Sequence, residues 1–200
     1  MVAEIEGSLT SILKAERTAI NIIQHMSGIA THTREYVNQV EGYKARILDT
    51  RKTTVGLRYL EKYAVRAGGG NNHRFNLGES ILIKDNHITA LRAKGLGIGD
   101  IVKKALTEAA DGLKVEIEVE SVSEFKEVFE AGAKNVLLDN MNLDDMLEVV
   151  TIARGRVVVE ASGGITLANV RDVAKTGVDF ISVGALTHSS DALDMSLELT

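Results

Sequence analysis

The sequence predicts an α/β fold in which a parallel sheet closes into a barrel, and three observations support this prediction. Glu118, Asp139 and Glu160 lie near the ends of three successive strand patterns, at equal intervals along the chain. Strands joined by one crossover helix run in the same direction, so this spacing indicates a parallel sheet. No nucleotide-type glycine fingerprint opens the first unit, and glycine turns follow the last two strands. A phosphate-binding barrel is therefore favoured over a doubly wound sheet.

The elements are predicted in order along the chain. Residues 9–42 have the pattern of leading helices, with Gly28 as a candidate break. Strand patterns follow at 46–50, 80–84, 114–120, 135–139, 157–160 and 180–183. Helical patterns separate the later strands; one begins at a capping box of Ser121 and Glu124, and the last is predicted to be capped by Thr166. Six strands are recognisable, and periodicity alone leaves open whether the barrel has six or eight.

Composition limits the class of protein. The 200 residues are 44% hydrophobic and 26% charged, which fits a single globular domain over residues 1–200. A net charge of −5 argues against nucleic acid as the main partner. No apolar run approaches the roughly 18 residues of a membrane span, and the first residues do not resemble a signal peptide. We expect a cytoplasmic protein that contacts neither membrane nor nucleic acid.

Two residue types are missing from the chain. The absence of cysteine excludes disulfides, thiolate metal sites and a cysteine nucleophile. The absence of proline is unusual, because about ten prolines are expected at ordinary usage of ~5%. These absences suggest an engineered or reconstructed sequence.

Cations concentrate where predicted strands give way to loops. Arg51, Lys52, His73, Arg74 and Lys84 each follow an apolar run or a glycine cluster. Any one of them is explained by a solvated rim of charges. Together they serve no common packing purpose, and they favour a site for a small molecule with several negative charges.

Carboxylates and glycine turns add to this predicted site. Glu118 and Asp139 are candidate ligands for Mg²⁺ or a ribose, and pairing with Lys52 or Lys84 is an equal alternative. Glu160 is a weaker candidate for the same role. Two turns, at 162–164 and at 183–185, can present backbone N–H groups to a phosphate.

Several motifs then identify a family. The strings AERTAIN, SGIAT, DTRKTT, GGGNNHR, LIKDNH, VEASGGIT and ISVGALTHS, in this order, closely resemble quinolinate phosphoribosyltransferase. The match covers nearly all 200 residues. The resemblance implies an incomplete, TIM-like α/β barrel of six parallel strands. It also implies that residues 1–8 are a remnant of an additional N-terminal domain. The chain departs from the family at Val55, where proline is typical, and at Ala67, where cysteine is common.

The resemblance also implies a reaction and roles for residues. The reaction is phosphoribosyl transfer from 5-phosphoribosyl-1-pyrophosphate to quinolinate with decarboxylation, which gives nicotinate mononucleotide for NAD biosynthesis. Quinolinate would be bound by Arg51, His73, Arg74 and Lys84, and by Arg17 from a neighbouring subunit. Lys52, Glu118 and Asp139 would act in catalysis, with the two carboxylates near the magnesium of the sugar diphosphate. Ser162, Gly163 and Gly184 would bind the ribose phosphate.

Alternatives remain beside this interpretation. A nicotinate phosphoribosyltransferase would use a similar barrel without decarboxylation, and a paralogous group is linked to molybdate transport. An isolated barrel scaffold, engineered without proline and cysteine and with little or no activity, is the main alternative. Faces that would meet the additional domain are expected to promote a homodimer or a looser homo-oligomer.

Overall fold

The computed structural model describes residues 1–199 and contains one parallel sheet with helices along one face. The strands are β1 (Arg46–Leu48), β2 (Ser80–Ile83), β3 (Lys114–Val119), β4 (Asn135–Asp139), β5 (Val158–Ser162) and β6 (Phe180–Ser182). The helices are α1 (Leu9–Gln39), α2 (Arg58–Ala67), α3 (Asp85–Arg92), α4 (Ile98–Glu108), α5 (Val122–Glu130), α6 (Leu143–Ala153), α7 (Val170–Lys175) and α8 (Ala185–His188). The six predicted strands and their parallel direction are confirmed.

Register divides the sheet into an apolar and a polar face. The strand order is β1-β6-β5-β4-β3-β2, and every pair is parallel. Side chains alternate between faces along a strand, so Val136, Val159 and Ile181 pack among the helices. Glu118, Leu137 and Glu160 are register partners on the opposite face, inside the curved sheet. The interior of the barrel is thus lined largely by polar groups, which is unusual for a core and indicates a binding site.

The sheet does not close by pairing of its two edge strands. Instead, residues 70–74, which we call the seam segment, run beside β1. The N–H of Asn71 donates to the carbonyl of Ile47 at 2.8 Å, and the N–H of Asp49 donates to the carbonyl of Asn71 at 3.1 Å. At the other side, Nη1 of Arg74 donates to the carbonyl of Ser80 at 2.7 Å. The seam segment therefore lies in the gap between β1 and β2: its backbone pairs with the edge of β1, and the Arg74 side chain bonds to β2.

Helix α1 is continuous, so the expected break at Gly28 is wrong. Gly28 is buried, and a Cβ added there would lie 1.9 Å from the carbonyl oxygen of Asp191. The glycine allows the C-terminal segment to cross α1 closely, and it does not interrupt the helical hydrogen bonds. No described helix is both long and apolar enough to cross a membrane.

The predicted cap at Thr166 is also wrong. Helix α7 begins at Val170, and residues 166–169 form a turn that Asn169 holds. The side-chain oxygen of Asn169 accepts the N–H of Thr166 at 2.8 Å, and its amide donates to the carbonyl of Gly164 at 2.9 Å. By contrast, Ser121 caps α5 as predicted, accepting the N–H of Glu124.

Candidate active site

A cavity of about 720 Å³ opens where the strands end. It is lined by residues of the five strands β2 to β6, by the loop that follows β1, and by loops at the ends of other strands. The predicted site residues that line it are Arg51, Lys52, His73, Arg74, Lys84, Glu118, Asp139, Ser162, Gly163 and Gly184. The structure therefore brings together residues that are far apart in sequence, at the end of the barrel where ligands bind in such folds.

Arg17 is the exception among the predicted residues. Its side chain is 72% exposed on α1 and lies 3.8 Å from Glu16. It does not line the cavity of its own chain. This position is compatible with a surface arginine and with a contribution to a second copy.

The loop after β1, residues 50–54, is held from three sides. Thr187 donates its hydroxyl to the carbonyl of Lys52 at 2.8 Å. Arg58 donates to the carbonyl of Arg51 at 3.2 Å. The buried carboxylate of Glu61 accepts the N–H of Thr54 at 3.1 Å and lies 2.8 Å from Nε2 of His25. These contacts fix the direction in which the two cations of this loop leave the backbone.

A buried ion pair fixes the seam segment beneath the loop. Nζ of Lys62 lies 2.5 Å from Oδ1 of Asp49, and both side chains are almost fully buried. Lys62 also donates to the carbonyl of His73 at 2.9 Å, and Asp49 accepts the N–H of His73 at 2.8 Å. Burial raises the pKa of Asp49, while Lys62 and the neighbouring amides oppose that rise. A charged pair in this position is stable because each remaining lone pair finds a donor.

His73 enters the barrel interior, where two carboxylates face its ring. Nε2 of His73 lies 3.3 Å from Oε2 of Glu116 and 3.6 Å from Oε1 of Glu160. Burial and the charge of Glu116 raise the pKa of Glu160 to about 7. Burial also acts to raise the pKa of Glu116, but His73 and Lys114 outweigh it and lower that pKa. Nε2 of His73 thus lies near carboxylates of the protein, and the expected role of His73 in binding quinolinate stays a prediction.

Arg74 lies above this cluster with its guanidinium partly free. Nη1 is bonded to β2, whereas the buried Nε has no hydrogen-bond partner among the described residues. Burial lowers the pKa of Arg74, and the charge of Arg51 lowers it further. Two guanidinium groups that repel each other beside a cavity are suited to an anion placed between them.

Glu118 and Asp139 lie on the opposite wall, near Lys84. Nζ of Lys84 is 3.5 Å from Oε2 of Glu118, so the alternative of charge pairing holds for this carboxylate. Burial raises the pKa of Glu118, Lys84 lowers it, and the nearby charge of Asp139 raises it again. The two carboxylates therefore repel each other, and a cation between them would relieve that repulsion.

The glycine turns form the third wall. Gly163 has a φ of +88°, and a Cβ there would lie 2.3 Å from Oδ1 of Asn140 and 2.8 Å from its backbone nitrogen. A Cβ at Gly184 would lie 3.1 Å from Nε2 of His188 and 3.4 Å from Cδ of Lys52. Close approach of backbone to these side chains leaves room for a ligand that contacts main-chain N–H groups.

Sequence reasoning missed some residues of this region. Glu116 precedes Glu118 by two positions on one strand, so the two-residue period of a strand could have placed it on the interior face. His188 lines the cavity because α8 turns back over Gly184. No signal in the sequence indicates such a short helix. Asn140 reaches the cavity in a left-handed conformation with a φ of +54°, which asparagine tolerates.

Known proteins resemble this chain over most of its length. A family model described as quinolinate phosphoribosyl transferase, C-terminal domain, matches residues 29–198. The probable nicotinate-nucleotide pyrophosphorylase (carboxylating) of Bacillus subtilis is 44% identical over 200 residues, with 100% of this chain and 68% of the relative covered. The nicotinate-nucleotide pyrophosphorylase (carboxylating) of Mycobacterium leprae is also 44% identical, with 98% and 68% covered.

Solved structures agree with these relatives. NadC from Streptococcus pyogenes superposes with a TM-score of 0.88 at 42% identity, and covers 96% of this chain and 66% of its own. The nicotinate-nucleotide pyrophosphorylase of Francisella tularensis gives 0.87 at 46% identity, with 94% and 65% covered. The chain thus spans about two thirds of the length of these proteins. Identity spread over the whole chain does not favour an engineered scaffold. The chain belongs to the quinolinate phosphoribosyl transferase family, whose C-terminal domain it matches.

Proposed function

We propose that this protein transfers the phosphoribosyl group of 5-phosphoribosyl-1-pyrophosphate to quinolinate and releases carbon dioxide. The observation that supports the proposal is one cavity on which cations and glycine turns converge from distant parts of the chain. Quinolinate carries two carboxylates, and the sugar diphosphate carries phosphates at both ends. A site for both requires positive side chains at one wall and backbone amides at another.

Each wall has a role in this proposal. Arg51, Arg74 and Lys84 bind the carboxylates of quinolinate, and the His73 ring forms the wall beneath it. Ser162, Gly163 and Gly184 bind the ribose phosphate. Lys52 leaves the loop between these regions, beside Gly184, and contacts the departing pyrophosphate. His188, which lies against Gly184, joins the phosphate wall.

The chemistry is a displacement followed by loss of a carboxylate. The bond between the anomeric carbon and the pyrophosphate oxygen breaks, and the pyridine nitrogen forms a bond to that carbon. The positively charged ring nitrogen then stabilises the electron pair left when the adjacent carboxylate departs as carbon dioxide. A proton from solvent then bonds to that ring carbon in place of the lost carboxylate. Positioning and electrostatic stabilisation by the side chains supply most of the rate enhancement.

Magnesium is part of the proposal as a companion of the sugar diphosphate. Glu118 and Asp139 fit this role, because burial and, to a smaller extent, the charge of Asp139 raise the pKa of Glu118, and a hard divalent cation prefers carboxylate oxygens. Bound there, the ion would neutralise charge on the leaving pyrophosphate.

A second copy of the chain is proposed to complete the acceptor side. Arg17 lies on an exposed stretch of α1 that also carries the exposed side chains of Leu9 and Leu13. In a homodimer or looser homo-oligomer, this stretch would reach the cavity of the neighbour. Light scattering tests the oligomer, and the variant R17A should then lower quinolinate affinity without changing the fold. A monomer with unchanged affinity in R17A contradicts this part.

The decisive experiment measures carbon dioxide from carboxyl-labelled quinolinate. Release that requires the sugar diphosphate and magnesium supports the transferase. Nicotinate serves as the comparison acceptor, since it carries no carboxylate beside the ring nitrogen. Product from nicotinate but not from quinolinate would indicate the non-decarboxylating class, and no product from either would leave a binding scaffold.

A further inference from the structure

Two buried carboxylate oxygens beneath the cavity have no assigned purpose. Oε2 of Glu116 and Oε2 of Glu160 are buried and lack a hydrogen-bond partner among residues 1–199. Their other oxygens are engaged: Nζ of Lys114 lies 3.0 Å from Oε1 of Glu116, and Ser182 donates to Oε1 of Glu160. A buried oxygen without a hydrogen-bond partner costs folding free energy, so such an oxygen in a folded protein calls for an explanation. Both carboxylates lie beside the His73 ring: Nε2 of His73 is 3.3 Å from Oε2 of Glu116 and 3.6 Å from Oε1 of Glu160.

The tautomer of His73 follows from its other ring nitrogen. The backbone N–H of Arg74 donates to Nδ1 of His73 at 2.8 Å. A nitrogen that accepts this bond carries no proton, so the proton of the neutral ring is on Nε2. The carboxylates nearest to that nitrogen are those of Glu116 and Glu160.

A metal ion is the competing explanation for this cluster. One ligand atom each from His73, Glu116 and Glu160 lie within 4.8 Å of one another. A metal-bound histidine usually donates its second ring N–H to an acceptor. Here the second nitrogen already accepts an N–H, and Nε2 therefore has a proton where a metal would need a lone pair. The geometry favours a protonated Nε2 beside two carboxylates over a metal ion.

We propose that Glu116 and Glu160 are positioning residues that hold His73 in its Nε2–H tautomer and, through Nδ1, fix the backbone of Arg74 at the cavity. The chain of contacts runs from the two carboxylates to Nε2, from Nδ1 to the Arg74 N–H, and from the Arg74 guanidinium to β2. This inference rests on the proposed function insofar as Arg74 binds the acceptor. The tautomer itself does not depend on that function.

The first test reads the tautomer directly. Long-range proton–nitrogen NMR of protein labelled with ¹⁵N-histidine should show His73 with its proton on Nε2, the resonance being assigned by its loss in H73A. The variant E116L/E160L removes both acceptors, and apolar replacement of buried charges is often tolerated by the fold. We expect the Nε2–H pattern to be lost in E116L/E160L. It should persist in E116Q, whose amide oxygen still accepts.

A matched control separates this effect from general destabilisation. Asp179 accepts the N–H of Val159 at 2.9 Å and pairs with Lys44, at the start of the strands and away from the cavity. D179N should lower stability and leave the His73 pattern unchanged. An unchanged tautomer in E116L/E160L overturns the proposal. If the double variant does not fold, the same result in both E116L and E160L overturns it.

The second test measures binding to the two sides of the cavity. Quinolinate affinity should fall about tenfold in E116L/E160L, the scale of one lost charged hydrogen bond, whereas the affinity for inorganic phosphate should be unchanged. In an H73A background the two glutamate replacements should have little further effect, because all act through one ring. Equal losses with and without His73 contradict the proposal.

Two outcomes distinguish this inference from other failures. If wild-type protein binds no quinolinate, the proposed function fails, but the NMR spectrum still decides the tautomer. If Zn²⁺ binds stoichiometrically and replaces the proton on Nε2 of His73, the cluster is a metal site and the positioning role is wrong.

Discussion

The two sides of the cavity are built differently. The phosphate side, at the ends of β5 and β6, consists of short turns on strands that are paired within the sheet. The acceptor side consists of long side chains on the loop after β1 and on the seam segment, which lies where the sheet is not continuous. Backbone turns are fixed by the sheet, whereas the acceptor side depends on buried charges that must be paired. We therefore expect substitutions beneath the acceptor side to have the larger effects.

The largest expected effect is at Lys62. K62M leaves the buried carboxylate of Asp49 without its partner, which costs about 3–5 kcal/mol of unfolding free energy. The matched control is K44M, which breaks an ion pair of the same 2.5 Å length with Asp179 at an exposed position. Exposed pairs contribute below about 1 kcal/mol. Urea unfolding measures both, and similar losses would contradict the difference that we draw between a buried and an exposed pair.

The next effect is expected at Arg74. R74A should weaken quinolinate binding about 100-fold, because a half-buried guanidinium at the cavity can make several charged hydrogen bonds of about 1.5–3 kcal/mol each. Binding of the sugar diphosphate should change less than about threefold. The control is R92A, since Arg92 is an exposed residue of α3 that pairs with Glu124. This variant should change the affinity for neither ligand. Calorimetric titration of both ligands checks the result, and parallel losses would show that the two sides are not separable.

A smaller effect is expected on the phosphate side. G163A forces a Cβ against Asn140 at a left-handed position, and we expect a loss of about 1–3 kcal/mol together with weaker phosphate binding. Gly155 also has a positive φ, of +70°, but a Cβ there meets open space. G155A therefore isolates the backbone strain, and the difference in thermal stability between the two variants measures the steric part. Equal destabilisation of G163A and G155A would show that the contact with Asn140 adds no steric cost.

The most gradual effect concerns pH. The pKa of Glu160 is raised in the folded protein, to about 7, so folding favours the protonated carboxyl. The contribution of Glu160 to the free energy of unfolding is therefore greatest at pH values below its ordinary pKa. That stability is lost as the pH rises from about 4.5 to about 7, with a slope of at most about 1.4 kcal/mol per pH unit. E160Q should flatten this slope, and E108Q, on an exposed helix face, should not. A slope that survives in E160Q would assign the titration to another group.

The sequence predicted most of the phosphate side because its signals are local. Strand alternation, the turn at 162–164 and Gly184 each follow from neighbouring residues, and the structure has them at the ends of β5 and β6. The residues of the acceptor side were predicted from their resemblance to family motifs, and the contacts that position them were not predicted. The run of strand residues was expected to reach Thr50, but β1 ends at Leu48 because Asp49 bonds to the seam segment. That contact joins residues distant in sequence, and periodicity does not reveal it.

Buried polar networks limited the prediction in a second way. Glu61 and Lys62 are adjacent charged residues on α2, yet both are nearly fully buried. Their partners are His25 on α1 and Asp49, directly after β1. A charged residue can be placed inside a fold only when its partner is known, and the partner is a property of the tertiary structure.

The seam segment also makes this fold adaptable. Residues 70–74 replace a strand pairing with a short loop, so the edge of β1 is satisfied by backbone groups that any sequence supplies. The side chains of Asn72, His73 and Arg74 are nevertheless bonded to the rest of the fold. A redesign for another acceptor would therefore have to exchange these side chains together with their partners, and it could leave the strands untouched. Specificity in this gap of the sheet is thus inherited as a set of contacting residues.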